Sequence, residues 1–434
     1  MGVPYKMFEC KRKYFSRLFI FAFLTFTFLI ISNLRSDDSK IPLTKKKIND
    51  IKISSVYFCK TDSRKKFDRF LEANGTYDYL RFDSSEYGPG SEDIPLTDQI
   101  RIKNGKIPNY LKNKKKIFFA LNIFNNEDII PYIIQEITLL IRFLGPENVF
   151  LSIYENGSHD KSKELLLEFK SFLNGLDVRF SLKTEDLERP ENYHNVEYLA
   201  EIKNRALIPL EEEDKKGYKY DKIVFFNDVV FCKNDILELI YQSDLQKSDI
   251  TSPLDIHAAG NDKQLNFTNN WVARDLDGYE INGNISNLIK HKESTERYNQ
   301  GLPIQVQCSM NGVSVLNAAP FYGDEPIRFR RSKLDTNECS ASEYSLMCND
   351  FWTKGFRRIV VVPNILVAHK KENVDLIDNN YQTFIDKNVT LPEIIAYVDG
   401  PKLIQCRELV KNNTDTPVNV IKWVKYTNDE TKVM

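Results

Sequence analysis

Apolar residues in the middle of the chain alternate between short continuous runs and longer runs with helical spacing. A continuous apolar run at 117–123 predicts a strand buried on both faces. Apolar positions at 3.6-residue spacing over 130–144 then predict an amphipathic helix that ends at Gly145-Pro146. The alternation continues with strands predicted at 149–154 and 178–182 and helices at 160–173 and 196–210. A fourth strand is predicted over KIVFFNDVVF, residues 222–231.

Strands that alternate with helices over such short loops predict right-handed βαβ units and a mainly parallel sheet. The predicted fold class is therefore α/β, with a Rossmann-type sheet flanked by helices. Ligands bind beyond the carboxyl ends of the strands in such sheets, so residues that directly follow a strand are the candidates for chemistry.

The amino-terminal region has the pattern of a membrane anchor. Residues 18–34 carry no charge, and the preceding residues 1–17 include five basic side chains and one acidic side chain. We predict a cytoplasmic tail at 1–17 and a transmembrane signal anchor at 18–34, with the rest of the chain in the lumen. A cleaved signal peptide is the alternative, but SNLRSDD after the run offers no small-residue cleavage pattern.

Residues 35–113 are rich in Lys, Asp, Ser and Asn and show no sustained periodicity, which predicts a lumenal stem. Residues 114–434 are then the catalytic domain. The 434-residue chain has 60 basic and 61 acidic residues, and this balance gives no indication of a nucleic-acid partner.

Six of the seven cysteines follow the predicted anchor: Cys59, Cys232, Cys308, Cys339, Cys348 and Cys406. An even number in an oxidising compartment permits up to three disulfides, and the sequence leaves the pairing open. No cysteine or histidine spacing indicates a structural zinc site.

The strongest local motif is Asn227-Asp228 at the tip of the hydrophobic strand that begins at Lys222. A charge there is costly unless it is paired or bound to a metal. Transferases of nucleotide sugars need a hard cation, held by carboxylate oxygens, against the donor diphosphate. The alternative is that Asp228 caps the following helix, although Asn234 and Asp235 are better placed for that role.

Several segments in a fixed order resemble a fungal family, the capsule-associated α-1,3-mannosyltransferases of the cryptococcal mannosyltransferase type. The segments are FFNDVVFCKNDILELI, ALNIFNNEDIIP, NVFLSIYENGSHDKSKELL, YLAEIKNRALIPL, WVARDLDG, CSMNGVSVLNAAPF and ECSASEYSLMCNDFWTKGFRRIVVVPN. The resemblance implies a GT-A-like membrane enzyme that transfers mannose from GDP-mannose. It also implies a divalent cation (Mn²⁺ or Mg²⁺), a mannose-containing glycan acceptor, an α-1,3 product and retention of configuration. A typical DxD motif is replaced here by Asn-Asp-Val.

The resemblance and the strand positions together suggest a role for each candidate residue. Metal ligation is expected for Asp228 and His369, and donor binding for Asn122, Asn125, Glu127, Glu155, Ser158, Arg205 and Asn227. Acceptor binding is expected for Trp271, Arg274 and Asp275, and catalysis for Asp255 and Glu343. The structural alternatives are helix capping for the loop residues, a surface position for Arg205 and core packing for Trp271. Asn156 begins an N-x-S sequon inside the predicted donor loop, so we expect it to carry no glycan.

Three hypotheses for function follow from the sequence. The leading one is a metal-dependent α-1,3-mannosyltransferase of the Golgi or endoplasmic reticulum membrane. The second is a transferase that uses another nucleotide sugar. The third, from a different class, is a catalytically silent lumenal glycan-binding protein.

Overall fold

The computed structural model describes residue 59 and the ranges 115–186, 189–191, 193–260, 264–333, 338–339, 341–380, 389–408 and 420–427. The predicted tail, the predicted anchor and all of the predicted stem except Cys59 lie outside these residues. Among the residues described, none of the helices is both long and apolar enough to cross a bilayer.

The predicted alternation of strands and helices is confirmed. The strands are β1 Ile117–Ile123, β2 Val149–Glu155, β3 Arg179–Thr184, β4 Lys222–Phe226, β5 Ile250–Ala259, β6 Gln264–Phe267, β7 Ile304–Gln305, β8 Val313–Asn317, β9 Ile359–Val367, β10 Ile404–Cys406 and β11 Lys422–Val424. The helices are α1 Ile130–Leu144, α2 Ser162–Leu173, α3 Asn195–Lys215, α4 Lys233–Leu245, α5 Lys292–Asn299, α6 Glu343–Thr353 and α7 Lys371–Asn380.

The main sheet has the strand order β3-β2-β1-β4-β8-β5-β9-β7, with β6 paired to β5. Parallel pairing joins β3, β2, β1 and β4, and it also joins β5 to β9. Strand β8 runs antiparallel between β4 and β5, so β4, β5 and β9 point the same way. The predicted α/β class with a mainly parallel sheet is confirmed, and the carboxyl ends of these three strands lie at one edge.

The core forms around β1 because its apolar run is buried on both faces. Phe118 stacks on Phe150 with ring centroids 5.1 Å apart, and Phe119 meets Phe226 edge to face at 5.6 Å. Helix α3 packs on β1 and β2, and α4 packs on β5, β8 and β9. Burial of each phenylalanine side chain stabilises the folded state by roughly 2–3 kcal/mol. Because this packing holds the strands in place, it also fixes the positions of their ends.

Strand β4 is shorter than the apolar pattern predicts. The strand ends at Phe226, and one further bond in the same register follows, from the Asn227 backbone N–H to the carbonyl of Gly312 at 2.7 Å. The Val229 N–H then donates to the carbonyl of Asn227 at 2.8 Å, which closes a turn. The chain turns out of the sheet here and touches it again at Val230, which bridges Ala368. The expected strand beyond Asn227 was therefore wrong, and Asp228 lies in a turn.

Three disulfides join the six cysteines, as Cys59–Cys232, Cys308–Cys348 and Cys339–Cys406. The first links the predicted stem to the residue that precedes α4, across 173 positions of sequence. The third ties β10 to the segment before α6. These two bonds therefore hold segments that lie outside the main sheet.

Replacing Cys59 and Cys232 together by Ser is expected to lower the free energy of unfolding by roughly 2–5 kcal/mol, because the bond closes a long loop of the unfolded chain. Chemical denaturation of the unreduced protein measures this, with Cys10→Ser as the control that should change nothing. An unchanged denaturation midpoint in the double variant, or peptide mapping that finds Cys59 as a free thiol, would contradict this pairing.

Candidate functional site

Two aspartates and one histidine meet beyond the ends of β4, β5 and β9. The Nε2 of His369 lies 2.9 Å from Oδ2 of Asp255, and its Nδ1 lies 3.2 Å from Oδ1 of Asp228. The same Nδ1 is 3.0 Å from the backbone carbonyl of Asp228. The imidazole ring therefore bridges two carboxylates that are 27 residues apart in sequence.

An irregular register between β5 and β9 brings these groups together. Ser252 pairs with Val361 and Asp255 pairs with Val367, so β9 advances six residues while β5 advances three. Pro253 and Pro363 lie within the irregular stretch, where their missing N–H groups interrupt the ladder. With a continuous register Asp255 would face Asn364, and His369 would lie too far along the strand.

Electrostatics fix the protonation of this cluster. Burial disfavours the charged imidazole, but the hydrogen bonds and charges of Asp228 and Asp255 outweigh it and raise the pKa of His369 to about 11. Burial alone would raise the pKa of Asp228, and the His369 hydrogen bond instead brings it below its usual value. At neutral pH the imidazole is therefore charged. Its Nε2–H donates to the Asp255 carboxylate, and its Nδ1–H lies between the backbone carbonyl and the carboxylate of Asp228.

The two carboxylates differ sharply in access. The Asp228 side chain is 47% exposed, whereas the Asp255 side chain is 0% exposed. Oδ2 of Asp255 also accepts from Asn269 Nδ2 at 2.8 Å, and its Oδ1 is buried without a hydrogen-bond partner. Asp228 is therefore accessible from solvent, and Asp255 lies buried behind His369.

Gly312 leaves the space in which this cluster packs. It adopts a φ of +63°, and a Cβ there would lie 2.7 Å from Cγ2 of Val367 and 3.2 Å from Cγ1 of Val229. It would also approach Cγ of Asp255 at 3.5 Å. A side chain at this position would push apart the segments that carry Asp255, the Asp228 turn and the end of β9.

The loops after β1 and β2 are fastened by reciprocal hydrogen bonds. The Asn125 N–H donates to Oγ of Ser158 at 2.9 Å, and the His159 N–H returns a bond to Oδ1 of Asn125 at 2.8 Å. The Glu127 N–H donates to Asp160 at 3.0 Å, and Glu127 accepts from Lys161 N–H at 3.0 Å. Asn125, Glu127 and Ser158 lie beyond the strand ends as predicted, and their donor-binding role stays a prediction.

Glu155 and Asn122, also predicted donor ligands, lie deeper. Glu155 is fully buried; one carboxylate oxygen accepts from the Ser158 N–H and the other has no hydrogen-bond partner. Nδ2 of Asn122 donates to the carbonyl of Ile202 at 2.8 Å. Both side chains stabilise the junction of β1, β2 and α3 in this structure, and contact with a donor stays a prediction.

Arg205, predicted to bind a diphosphate, already has two acidic partners. It pairs with Glu185 and, at 2.8 Å, with Glu201, and its guanidinium lies 5.7 Å from the ring centroid of Tyr154. A phosphate would have to compete with these carboxylates. The geometry gives no support to the predicted role, which stays a prediction.

The three predicted acceptor ligands differ in their surroundings. Arg274 is 2% exposed, donates to the carbonyl of Asn270 at 2.9 Å, and has a pKa that burial lowers to about 10. Asp275 is buried and accepts four backbone N–H groups, from residues 277, 279, 290 and 291. Both side chains hold their loop together, and Trp271 is half-buried. The acceptor-binding role of all three residues stays a prediction.

Glu343 forms an ion pair with Lys203, which was not among the predicted site residues. Its Oε1 lies 3.0 Å from Nζ of Lys203, and both side chains are buried. Tyr344, the next residue, donates its hydroxyl to Oδ1 of Asn227. The spacing of Lys203 from Ala200 and Leu207 places it on the apolar face of α3. A charged residue at an apolar position of the helix was the available signal.

The doubly paired His369 and the accessible Asp228 lie at the carboxyl ends of the strands, which is the edge where α/β sheets bind ligands. The chain belongs to the Cryptococcal mannosyltransferase 1 family, whose sequence model matches residues 116–350, more than half of the 434 residues. Asp228, Asp255 and Glu343 lie inside this range, and His369 lies beyond it.

The chain is also similar to alpha-1,3-mannosyltransferase CMT1 of Cryptococcus neoformans var. neoformans serotype D, with 31% identity over 281 residues. This match spans 60% of the present chain and 60% of the cryptococcal protein.

Two solved structures resemble the chain weakly. One is the mannosyltransferase PcManGT from Pyrobaculum calidifontis in complex with GDP-Man and Mn²⁺, at 9% identity and a TM-score of 0.35, covering 67% of this chain and 62% of that one. The other is GalNAc-T7 with UDP, GalNAc and Mn²⁺, at 13% identity and a TM-score of 0.38, covering 59% and 43%. Scores this low support no inference about fold or ligands.

Gly312→Ala is expected to destabilise the protein by roughly 2–4 kcal/mol, because it combines a strained backbone with overpacking against Val367 and Val229. Gly260 has a similar φ of +71° and open space around it, so Gly260→Ala isolates the backbone contribution. Urea denaturation compares the two variants. Equal losses would show that Gly312 provides only its conformation and not the space for the cluster.

Asn156 is expected to carry no glycan in the folded protein, because it is 3% exposed and its Nδ2 donates to the Tyr198 hydroxyl at 3.2 Å. Mass spectrometry of peptides from protein secreted by a eukaryotic host measures the occupancy. A glycan on Asn156 in folded protein would show that the loop after β2 is placed wrongly.

Proposed function

We propose that this chain is a glycosyltransferase, and more specifically a metal-dependent α-1,3-mannosyltransferase that uses GDP-mannose. The family match and the similarity to an α-1,3-mannosyltransferase support the sugar and the linkage. The observation that carries the proposal is the half-exposed Asp228, held beyond the strand ends by His369 and Asn126. The GT-A-like assignment of the α/β fold belongs to the same proposal.

The residues around Asp228 fit a hard divalent cation. Such ions take carboxylate oxygens first, and magnesium-like ions often use one or two protein carboxylates while substrate phosphates and water complete the shell. Among the residues described, no group of three His, Cys, Asp or Glu side chains is arranged to hold a metal on its own. A site built on Asp228 therefore suits an ion that is shared with a diphosphate. His369 would become a second ligand only by losing one ring proton together with its contact to one carboxylate.

In this proposal each residue of the cluster has a defined task. A bound cation would neutralise charge on the departing diphosphate. Asp228 holds the donor end of the site, His369 fixes the orientation of Asp228, and Asp255 with Asn269 fixes His369. Because Asp255 is fully buried, we assign it to support and not to contact with the sugar.

The proposed transfer retains configuration, since donor and product are both α-linked. The bond between the mannose anomeric carbon and the diphosphate breaks, a bond to the acceptor hydroxyl oxygen forms on the same face, and the leaving phosphate accepts the hydroxyl proton. This route needs no protein nucleophile. It suits a site in which Glu343 is buried against Lys203.

We further propose that the acceptor is a mannose-containing glycan and that the domain is lumenal, anchored in the Golgi or endoplasmic reticulum membrane by residues 18–34. The three disulfides support an oxidising compartment. Protease treatment of intact vesicles should leave the domain protected, and digestion without detergent would refute the orientation.

Asp228→Asn is expected to lower transfer from GDP-mannose to a mannoside by at least ~1,000-fold, because the charge that faces the diphosphate is lost. Radiolabelled donor and product linkage analysis measure the rate, and a retained melting temperature shows that the fold survives. Asp324→Asn, at an exposed position, is the matched control and should keep full activity.

A panel of nucleotide sugars distinguishes the competing functions. Transfer from another donor in place of GDP-mannose would favour the second hypothesis. If the protein binds mannosides but transfers from no donor, with Mn²⁺ or Mg²⁺ present, the silent glycan-binding hypothesis is favoured. Full activity of Asp228→Asn would remove the metal role.

A further inference from the structure

The pair formed by Lys203 and Glu343 is an unusual feature of the core. The Nζ of Lys203 lies 3.0 Å from Oε1 of Glu343, and the side chains are 8% and 4% exposed. Burying such a pair costs desolvation that the attraction often does not recover, so stability alone explains it poorly. A role in fixing a specific geometry is the better-supported alternative.

The pair lies directly against Tyr344. The Nζ of Lys203 is 4.8 Å from the ring centroid of Tyr344, within the range of a cation–π contact. The Ser342 hydroxyl donates to Glu343 at 3.2 Å and accepts the Tyr344 N–H at 3.2 Å. The first turn of α6 is therefore held to α3 through Lys203.

A second connection from α3 reaches the same ring. Asn204 accepts the Phe329 N–H at 3.0 Å and donates to the Phe329 carbonyl at 2.8 Å. The Phe329 ring meets Tyr344 edge to face at 5.6 Å and Phe225 of β4 at 5.0 Å. Two successive residues of α3 thus determine where the Tyr344 ring lies.

Tyr344 in turn holds the residue before Asp228. Its hydroxyl donates to Oδ1 of Asn227, and burial raises the pKa of Tyr344 well above its usual range, which keeps it a donor. The turn is fixed at two further points, where Asn227 N–H meets the Gly312 carbonyl at 2.7 Å and Val230 N–H meets the Ala368 carbonyl at 2.9 Å. Among these three, only the Tyr344 bond reaches a side chain of the turn.

We propose that Lys203 and Tyr344 are positioning residues for Asp228, and that Glu343 belongs to the same chain of contacts and is not a catalytic residue. The order is Lys203 and Glu343, then the Tyr344 ring and hydroxyl, then the Asn227 carboxamide, then Asp228. None of the first three side chains reaches the solvent side of the site. The kinetic part of the test rests on the proposed transferase activity.

A double-mutant cycle with Lys203→Met and Tyr344→Phe tests the connection. Each single variant is expected to lower kcat/KM for the donor by roughly 10-fold, and the double variant by no more than about 3-fold further, because both act through one contact. Lys215→Met, at the exposed end of the same helix, is the control and should change nothing. Losses that multiply to about 100-fold, or no loss in Tyr344→Phe, would overturn the inference.

Glu343→Gln separates positioning from catalysis. The amide can still accept from Lys203, so a positioning role predicts a loss of no more than about 10-fold. A loss of about 1,000-fold or more with an unchanged melting temperature would restore the catalytic role.

Crystal structures of the Lys203→Met variant test the inference without any activity measurement. We expect the Tyr344 hydroxyl to lie more than 3.5 Å from Oδ1 of Asn227, beyond hydrogen-bond distance. Retention of that bond would overturn the positioning role. A wild-type chain that transfers no sugar would defeat the proposed function alone, and this structural comparison would still decide the inference.

Discussion

The whole site depends on how the buried charge of Asp255 is compensated. A fully buried carboxylate is costly unless a cation or several hydrogen bonds accompany it. His369 supplies the cation through its Nε2–H group, and Asn269 supplies a further N–H group. The Nδ1 of the same imidazole contacts Asp228. Because the buried Asp255 needs His369 as its cation, and His369 also contacts Asp228, the position of the accessible Asp228 depends on the buried Asp255.

Much of the remaining architecture serves this arrangement. The antiparallel β8 between β4 and β5 provides Gly312, whose carbonyl holds the Asp228 turn and whose missing side chain leaves room for Asp255. Helix α3 holds the opposite side of the turn through Lys203 and Tyr344. The disulfides attach the outlying segments, including Cys59, to this framework.

The first half of the sheet could be predicted from sequence because its signals are local. The apolar run of β1 and the helical periodicity of α1 each lie within fifteen residues, and both elements were found where expected. The position of Asp228 beyond a strand end followed from the same reasoning. The binding roles of the residues at these strand ends stay predictions.

The remaining details depend on contacts between distant segments. Asp255 and His369 meet only because β9 has three extra residues around Pro363. The pattern of apolar residues in the sequence does not indicate such a register shift. Arg274 and Asp275 carry the chemistry of sugar binding in sequence, yet folding commits them to backbone groups of their own loop and neighbouring segments. Lys203, the partner of Glu343, is 140 residues away in sequence. The burial of Glu343 could therefore not be predicted without knowing how α3 and α6 pack.

The most direct test of this account is a crystal structure of the protein with GDP and Mn²⁺, with the metal located by anomalous scattering. We predict one peak roughly 2.0–2.6 Å from a carboxylate oxygen of Asp228, with diphosphate oxygens in the same coordination shell. A bound nucleotide whose diphosphate lies away from Asp228, or a metal held by other residues, would contradict it.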